Sequence, residues 1–342
     1  MKAIVYRQHG GPDVLGLEER PVPAPGPGEV RVRIHLSGVN PTDWKARTVS
    51  VFGFSADGQG QVPHQDGAGT IDAVGAGVPA DRVGQRVWIW EAAWQRANGT
   101  AQEYVVLPQA QAVALPDHAS FELGASLGIP ALTAHRCLTV ADGGPRRLAP
   151  GALAGRTVLV AGGAGAVGNA AIQLSRWAGA TVVTTVSGPA KAALARAAGA
   201  HHVVDYRADD AASAIRALVP GGVDLVVEVA PAVNAGLDHH VAAPHATIAC
   251  YADTGADTLA FPVHPFLFAN LRWQGVLVYT LPEAAKADAV AAVTAAVADG
   301  ALRVGDDAGL PLHRFPLEKT GDAQAAVQRN VVGKVLVEVA TD

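Results

Sequence analysis

The stretch TVLVAGGAGAVGNAAIQLSRWAGATVVTTVSG, Thr157 to Gly188, decides the fold class. Thr157–Ala161 is a short β-branched and apolar run that reads as a buried strand. Gly162, Gly165 and Gly168 follow it, Ala166–Ala178 reads as a helix, and Thr181–Val186 is a second strand. A glycine triplet alone is weak evidence, but between a strand and a helix, with another strand following, it is a dinucleotide fingerprint. Glycines let the turn be tight and the backbone approach a pyrophosphate. The helix N-terminus adds free N–H groups and the positive end of its dipole. Gly162, Gly165, Ala166, Val167 and Gly168 are therefore the candidate pyrophosphate contacts. The blander reading, a turn that merely packs a helix closely on a strand, is disfavoured by these flanking elements.

The second strand ends in TTVSGPAK. A site that prefers NAD(H) usually ends this strand in a carboxylate, which accepts from the ribose 2′-OH and would repel a 2′-phosphate. Here Ser187 and Lys191 stand there, so NADPH is the expected cofactor. Tyr206, closing HHVVDYR, is a further candidate donor to the phosphate. Taken singly, Lys191 also reads as a solvated helix residue and Tyr206 as a packing one.

Working outward, Pro189–Ala198 reads as a helix, HHVVDY as a strand, DDAASAIRALV as a helix, and VDLVVEVA and ATIACYA as strands. This alternation predicts an α/β domain with a doubly wound parallel sheet. Upstream, MKAIVYR, EVRVRIHLSGV, GAGTIDAVG, DRVGQRVWIW and AQEYVVLP are strand candidates separated by Gly and Pro turns, which suggests a small β-barrel-like domain. FELGASLGIPALTAHRCLTV is helical and leads into the parallel region. Downstream, WQGVLVYT and KVLVEVA read as strands, and Ala284–Ala298 and Gly321–Gln328 as helices. The expected organisation is residues 1–124 for the barrel, 125–265 for the nucleotide domain and 266–342 for a return to the first domain.

The chain has 342 residues, 49% of them hydrophobic, enough for two cores. Two cysteines, Cys137 and Cys250, cannot build a disulfide framework or a cysteine-rich zinc site. A net charge of −5 without a basic run argues against a nucleic-acid partner. There is no apolar run long enough for a membrane span, and MKAIVYRQHGGPDV has no signal-peptide pattern. The expected location is the cytoplasm.

Seven segments together carry a likeness beyond the glycine turn: SGVNPTDWK (Ser37–Lys45), PHQDGAGTIDAVG (Pro63–Gly75), GTAQEYVVLP (Gly99–Pro108), PALTAHRCL (Pro130–Leu138), AGGAGAVG (Ala161–Gly168), GAHHVVDYR (Gly199–Arg207) and QRNVVGKVLVEV (Gln328–Val339). With them the chain resembles the medium-chain dehydrogenase/reductase superfamily. Within it, the likeness is to the zinc-independent NADPH:quinone oxidoreductases related to zeta-crystallin. The resemblance implies a GroES-like barrel beside a Rossmann domain. It also implies a Lys, a Tyr and an Arg around the 2′-phosphate, at the positions of Lys191, Tyr206 and Arg329. It places Thr133 near the nicotinamide, although a Thr early in a helix also reads as a cap. The segment WQGVLVYT resembles one that joins two subunits, so a homodimer is implied.

Zinc alcohol dehydrogenases of the superfamily hold a catalytic metal at three positions, which here carry Asn40, Gln65 and Ile129. Amides are poor zinc ligands and Ile offers no donor, so no metal site is expected. His64, one residue away, reads as structural. Without a metal, a conjugated acceptor is the natural substrate, because it delocalises the arriving charge itself. The resemblance puts Asn40 beside the substrate carbonyl as a hydrogen-bond donor. Asp43 reads equally as a catalytic group or a cap, and Thr42 as a proton relay that solvent could replace.

The expected activity is an NADPH-dependent reduction of quinones or electron-poor enones. An enone or enoyl-thioester reductase and a non-catalytic NADPH-binding protein are the alternatives. Trp88, Trp90 and Trp94 could floor a flat-ligand cleft, but barrel core is the favoured reading. GFSADGQGQ (Gly53–Gln61) lacks the Tyr common in relatives, and AAPHAT (Ala242–Thr247) stands where they have a Gly-Gly turn.

Overall fold

The computed structural model describes residues 1–49, 60–208, 210–253, 258–260 and 262–340. Most of Gly53–Gln61 therefore lies outside the described residues. Contacts divide the chain into two units: Met1–Ile129 with the chain from Leu312 onward, and Pro130–Pro311.

The first unit opens with β1 (Lys2–Val5), β2 (Gly16–Glu19) and the long β3 (Glu29–Val39). Helix α1 (Pro41–Thr48), β4 (Asp66–Val74), β5 (Arg86–Ile89), β6 (Tyr104–Pro108) and β7 (Ala112–Ala114) follow, and the unit reaches into α2 (Phe121–Leu138). Strand β3 alternates polar and apolar residues, so Val30, Val32 and Ile34 all turn into the core. They pack there with Ile71, Val87, Ile89 and Val105, and burying each such side chain stabilises the fold by about 1.5–3 kcal/mol. Trp88 and Trp90 are buried as well, in line with the core reading.

In the second unit β8 (Thr157–Ala161), α3 (Ala166–Trp177), β9 (Thr181–Val186), α4 (Pro189–Ala197) and β10 (His202–Asp205) lead on to α5 (Ala211–Leu218) and β11 (Val223–Glu228). Then come α6 (Pro231–Val241), β12 (Ala242–Cys250), α7 (Val263–Phe268), β13 (Arg272–Gly275) and α8 (Glu283–Ala298). The strands form one parallel sheet in the order β10-β9-β8-β11-β12-β13. The order reverses between β8 and β11, and the crevice at the C-terminal ends of such strands is where nucleotides bind.

The chain then returns to the first unit with β14 (Leu312–Pro316), α9 (Thr320–Gln328) and β15 (Lys334–Glu338), which join the barrel sheet in the order β14-β15-β3-β4-β5-β7.

Four expectations are corrected. The return comes at Leu312 and not at residue 266, because β13 extends the parallel sheet and Asp288 of α8 pairs with Arg147 at 2.8 Å. The first division falls inside α2, between Ile129 and Pro130. Next to it, Gly128 has non-helical angles (φ −20°, ψ −106°) and breaks the helix. WQGVLVYT is a strand only to Gly275. Its neighbour β12 ends at Cys250, so after the Val276 N–H has bonded the Cys250 carbonyl the chain turns into a 3-10 helix at Val278–Thr280. Helix α6 was unexpected because it buries only Ala235, Asp238 and Val241, too narrow an apolar stripe to read. The Glu228 carboxylate caps it, accepting from the Ala230 N–H and, at 3.0 Å, from Asn234 Nδ2.

Candidate active site

In the second unit the glycine turn has the geometry its spacing implies. Gly162 sits at φ +69°, a conformation that favours glycine. A Cβ on Gly168 would lie 2.4 Å from the Gly162 carbonyl oxygen, so only glycine lets α3 start this close to the turn. Gly165 is the N-cap of α3, and no side chain caps that helix. The first-turn N–H groups of Ala166, Val167 and Gly168 therefore have neither intrahelical nor side-chain acceptors, which suits an anionic pyrophosphate.

At the end of β9, Lys191 Nζ donates to Ser187 Oγ at 3.0 Å. The Tyr206 N–H donates to the Val186 carbonyl at 3.1 Å, which sets Tyr206, 50% exposed, beside the same strand end. The structure thus brings Ser187, Lys191 and Tyr206 to one edge. The carboxylate nearest them in register, Asp205 on β10, accepts the Arg207 N–H at 3.1 Å. NADPH fits these residues. Thr133 is buried in the second half of α2. Arg329 belongs to the first unit, exposed at the C-terminal end of α9.

In the first unit the residues around Asn40 form a buried polar cluster. Asn40 is the N-cap of α1, and Thr42 and Asp43 lie in its first turn. Asp43 Oδ2 accepts the Asn40 backbone N–H at 2.7 Å, so Asp43 does serve as a cap. Asn40 Nδ2 donates to Asp66 Oδ2 at 2.6 Å, and Lys334 Nζ donates to Asn40 Oδ1 at 2.8 Å. Asp66 is 0% exposed and Lys334 1%. Asp66 Oδ1 accepts the Ile129 N–H at 2.8 Å, a donor set free by the break at Gly128. Burial pushes the Asp66 carboxyl up and the Lys334 ammonium down, each opposed by the other's charge. Burial, with Asp66 adding to it and the Asn40 N–H opposing it, pushes Asp43 up to about 8.

A proton-ordered chain lies beside this cluster. Arg47 Nε donates to Gln324 Oε1 at 2.7 Å, which leaves Gln324 Nε2 to donate to His64 Nε2 at 3.2 Å. His64 Nδ1 must then carry the proton it gives to Ser37 Oγ at 2.9 Å. Ser37 donates to Thr100 Oγ1 at 2.7 Å, and Thr100 to the Asp66 carbonyl at 2.6 Å. His64 is thus structural, held neutral by burial and by Lys334, with its pKa down to about 3. Neither Asp66 nor Lys334 was singled out from the sequence. The signal available was a charged residue inside each of two quoted apolar strand motifs, HQDGAG and GKVLVEV.

A zinc ion does not fit here. Asn40 is engaged at both ends, Gln65 Oε1 accepts the Ala93 N–H at 3.0 Å, and Ile129 contributes a backbone N–H. No group of three His, Cys, Asp or Glu side chains suited to a metal occurs among the described residues.

Residues 26–117 match the alcohol dehydrogenase GroES-like domain, and residues 166–296 match the zinc-binding dehydrogenase domain. This pairing defines medium-chain dehydrogenase/reductases. A quinone oxidoreductase from Pongo abelii is 30% identical over 241 residues, 70% of this chain and 69% of that one. A solved NAD-dependent alcohol dehydrogenase superposes with a TM-score of 0.86 at 29% identity, covering 99% of this chain and 100% of that one. A mycobacterial protein solved in complex with NADPH gives 0.79 at 28%, covering 99% of each. The chain belongs to the medium-chain dehydrogenase/reductase superfamily and, within it, to the zeta-crystallin-like quinone oxidoreductases. It is an oxidoreductase whose fold joins a GroES-like barrel to a Rossmann-like parallel sheet. No helix of the described residues is long and apolar enough to cross a membrane.

Proposed function

We propose that this protein is an NADPH-dependent reductase that passes hydride to quinones or related electron-poor enones without a metal. The observation that carries the reading is the donor set at positions 40, 65 and 129: an amide tied to an ammonium, an amide tied to the backbone, and an aliphatic side chain. Oxidising a simple alcohol needs an electrophile for the alkoxide, whereas a conjugated acceptor spreads the arriving charge itself. This disfavours the alcohol dehydrogenase chemistry named for one structural neighbour. The quinone oxidoreductase relative and the NADPH-bound neighbour favour the reductase.

NADPH supplies the hydride when bound. The first turn of α3 would hold its pyrophosphate and Ser187, Lys191 and Tyr206 its 2′-phosphate, while the family resemblance adds Arg329 at the phosphate and Thr133 near the nicotinamide. Nδ2 of Asn40 has two N–H groups and gives one to Asp66. The other donates to the acceptor oxygen as charge develops there. Asp43 fixes the start of α1, and Thr42 or solvent returns the proton. The reading includes a cytoplasmic homodimer joined along β13, the edge strand of the parallel sheet.

Initial rates with a simple quinone test the proposal. NADPH should exceed NADH in kcat/KM by about tenfold or more, as expected for charge-assisted bonds to the 2′-phosphate, and a chelator should change nothing. Equal rates with NADH, or loss of activity after chelation, would sink it. Crotonyl thioesters in the same panel identify an enoyl-thioester reductase, and saturable NADPH binding with no turnover on any acceptor identifies a binding protein.

A further inference from the structure

The orientation of the Asn40 amide is set by its neighbours. Three adjacent strands bring them together: β15 pairs with β3 at Val335↔Val39, so Lys334 comes opposite Asn40, and β3 pairs with β4 at Gly38↔Asp66, which sets Asp66 diagonally from Asn40, opposite the residue two before it. The ammonium lies 2.8 Å from Oδ1 and the carboxylate 2.6 Å from Nδ2. A flipped amide would aim its N–H groups at the ammonium and its oxygen at the carboxylate, and both contacts would become repulsive. A cation on the amide oxygen also draws electron density from nitrogen, which makes the remaining N–H a stronger donor.

We propose that Lys334 is a positioning residue for the reduction: it locks and polarises the Asn40 amide so that the uncommitted N–H of Nδ2 faces the acceptor oxygen. The inference rests on the role given to Asn40 above. Lys334 also balances Asp66, and removing one member of a buried ion pair can unfold a protein. Lys334→Gln, which keeps a donor and loses the charge, therefore accompanies Lys334→Met, and Lys334→Arg is the conservative control.

Two readouts decide. The first is the nitrogen-15 spectrum of side-chain amides, with the Asn40 signal assigned through Asn40→Asp. The wild type and Lys334→Arg should show the two Asn40 Nδ2 protons well separated and slow to exchange, while Lys334→Gln and any folded Lys334→Met should show them shifted together and exchanging faster. The second is kinetic: for the Gln variant kcat should fall about 100-fold while NADPH affinity stays within about twofold, and Lys334→Arg should restore most of kcat. An unchanged Asn40 signal in folded Lys334→Gln overturns the inference, as does an unchanged kcat. A wild type with a locked amide that reduces neither quinones nor enones overturns the proposed function instead, because the amide spectrum needs no substrate.

Discussion

His64 stands at φ +80°, buried among Ser37, Gln324 and Lys334, with no room for a charge. Burial takes its pKa from 6.5 to about 3, and burial likewise takes His135 to about 4. In the unfolded chain both rings bind a proton near pH 6.5, so the unfolded state holds the extra protons and stability falls as pH drops below that value. Each histidine contributes a slope of about 1.4 kcal/mol per pH unit between about pH 4 and 6. His64→Asn should remove one such contribution, since Asn tolerates a positive φ and does not titrate there. Urea unfolding from pH 4 to 7 measures this, and equal slopes in variant and wild type would refute the assignment. At this scale the sequence disclosed which residue types were missing, the absent Cys and His ligands and the absent acid after β9. It did not disclose that Lys334 reaches Asn40, because the two are joined only by strand pairing across nearly the whole chain.

Among the elements, the turn between β8 and α3 was legible almost residue by residue. Its chemistry is local: β-branched residues before it, glycines within it, helix formers after it. Its third glycine yields a sharp prediction. In Gly168→Ala the new methyl would meet the Gly162 backbone at 2.4 Å, so α3 must shift away from the turn. The expected result is about 1–3 kcal/mol less stability and at least about tenfold weaker NADPH binding, because the first-turn N–H groups lose their aim. Fluorescence titration with NADPH measures the second effect, and wild-type affinity in the variant would remove the turn from the binding site. Helices α1 and α6 escaped the sequence reading for one reason. Each is held by a carboxylate at its start, Asp43 on the Asn40 N–H and Glu228 on the Ala230 N–H, rather than by a broad apolar face.

For the whole molecule, binding stabilises whatever it binds in the folded state. NADPH at 100 times its dissociation constant should add about 2.7 kcal/mol to the unfolding free energy. Melting should then shift upward by several degrees, and NADH at the same concentration should give a clearly smaller shift. Calorimetric melts with each nucleotide provide the check, and equal shifts would argue that nothing near Ser187 and Lys191 reads the phosphate. The sequence by itself determined the parallel sheet and the glycine turn between β8 and α3, because periodicity and backbone freedom belong to residues and their near neighbours. Only the tertiary structure decided that the chain leaves the second unit at Leu312, that His64 is neutral, and that an ammonium and a carboxylate hold the Asn40 amide between them. Those features depend on which distant strands pair and on what burial does to charge, and neither is written in any one stretch of the chain.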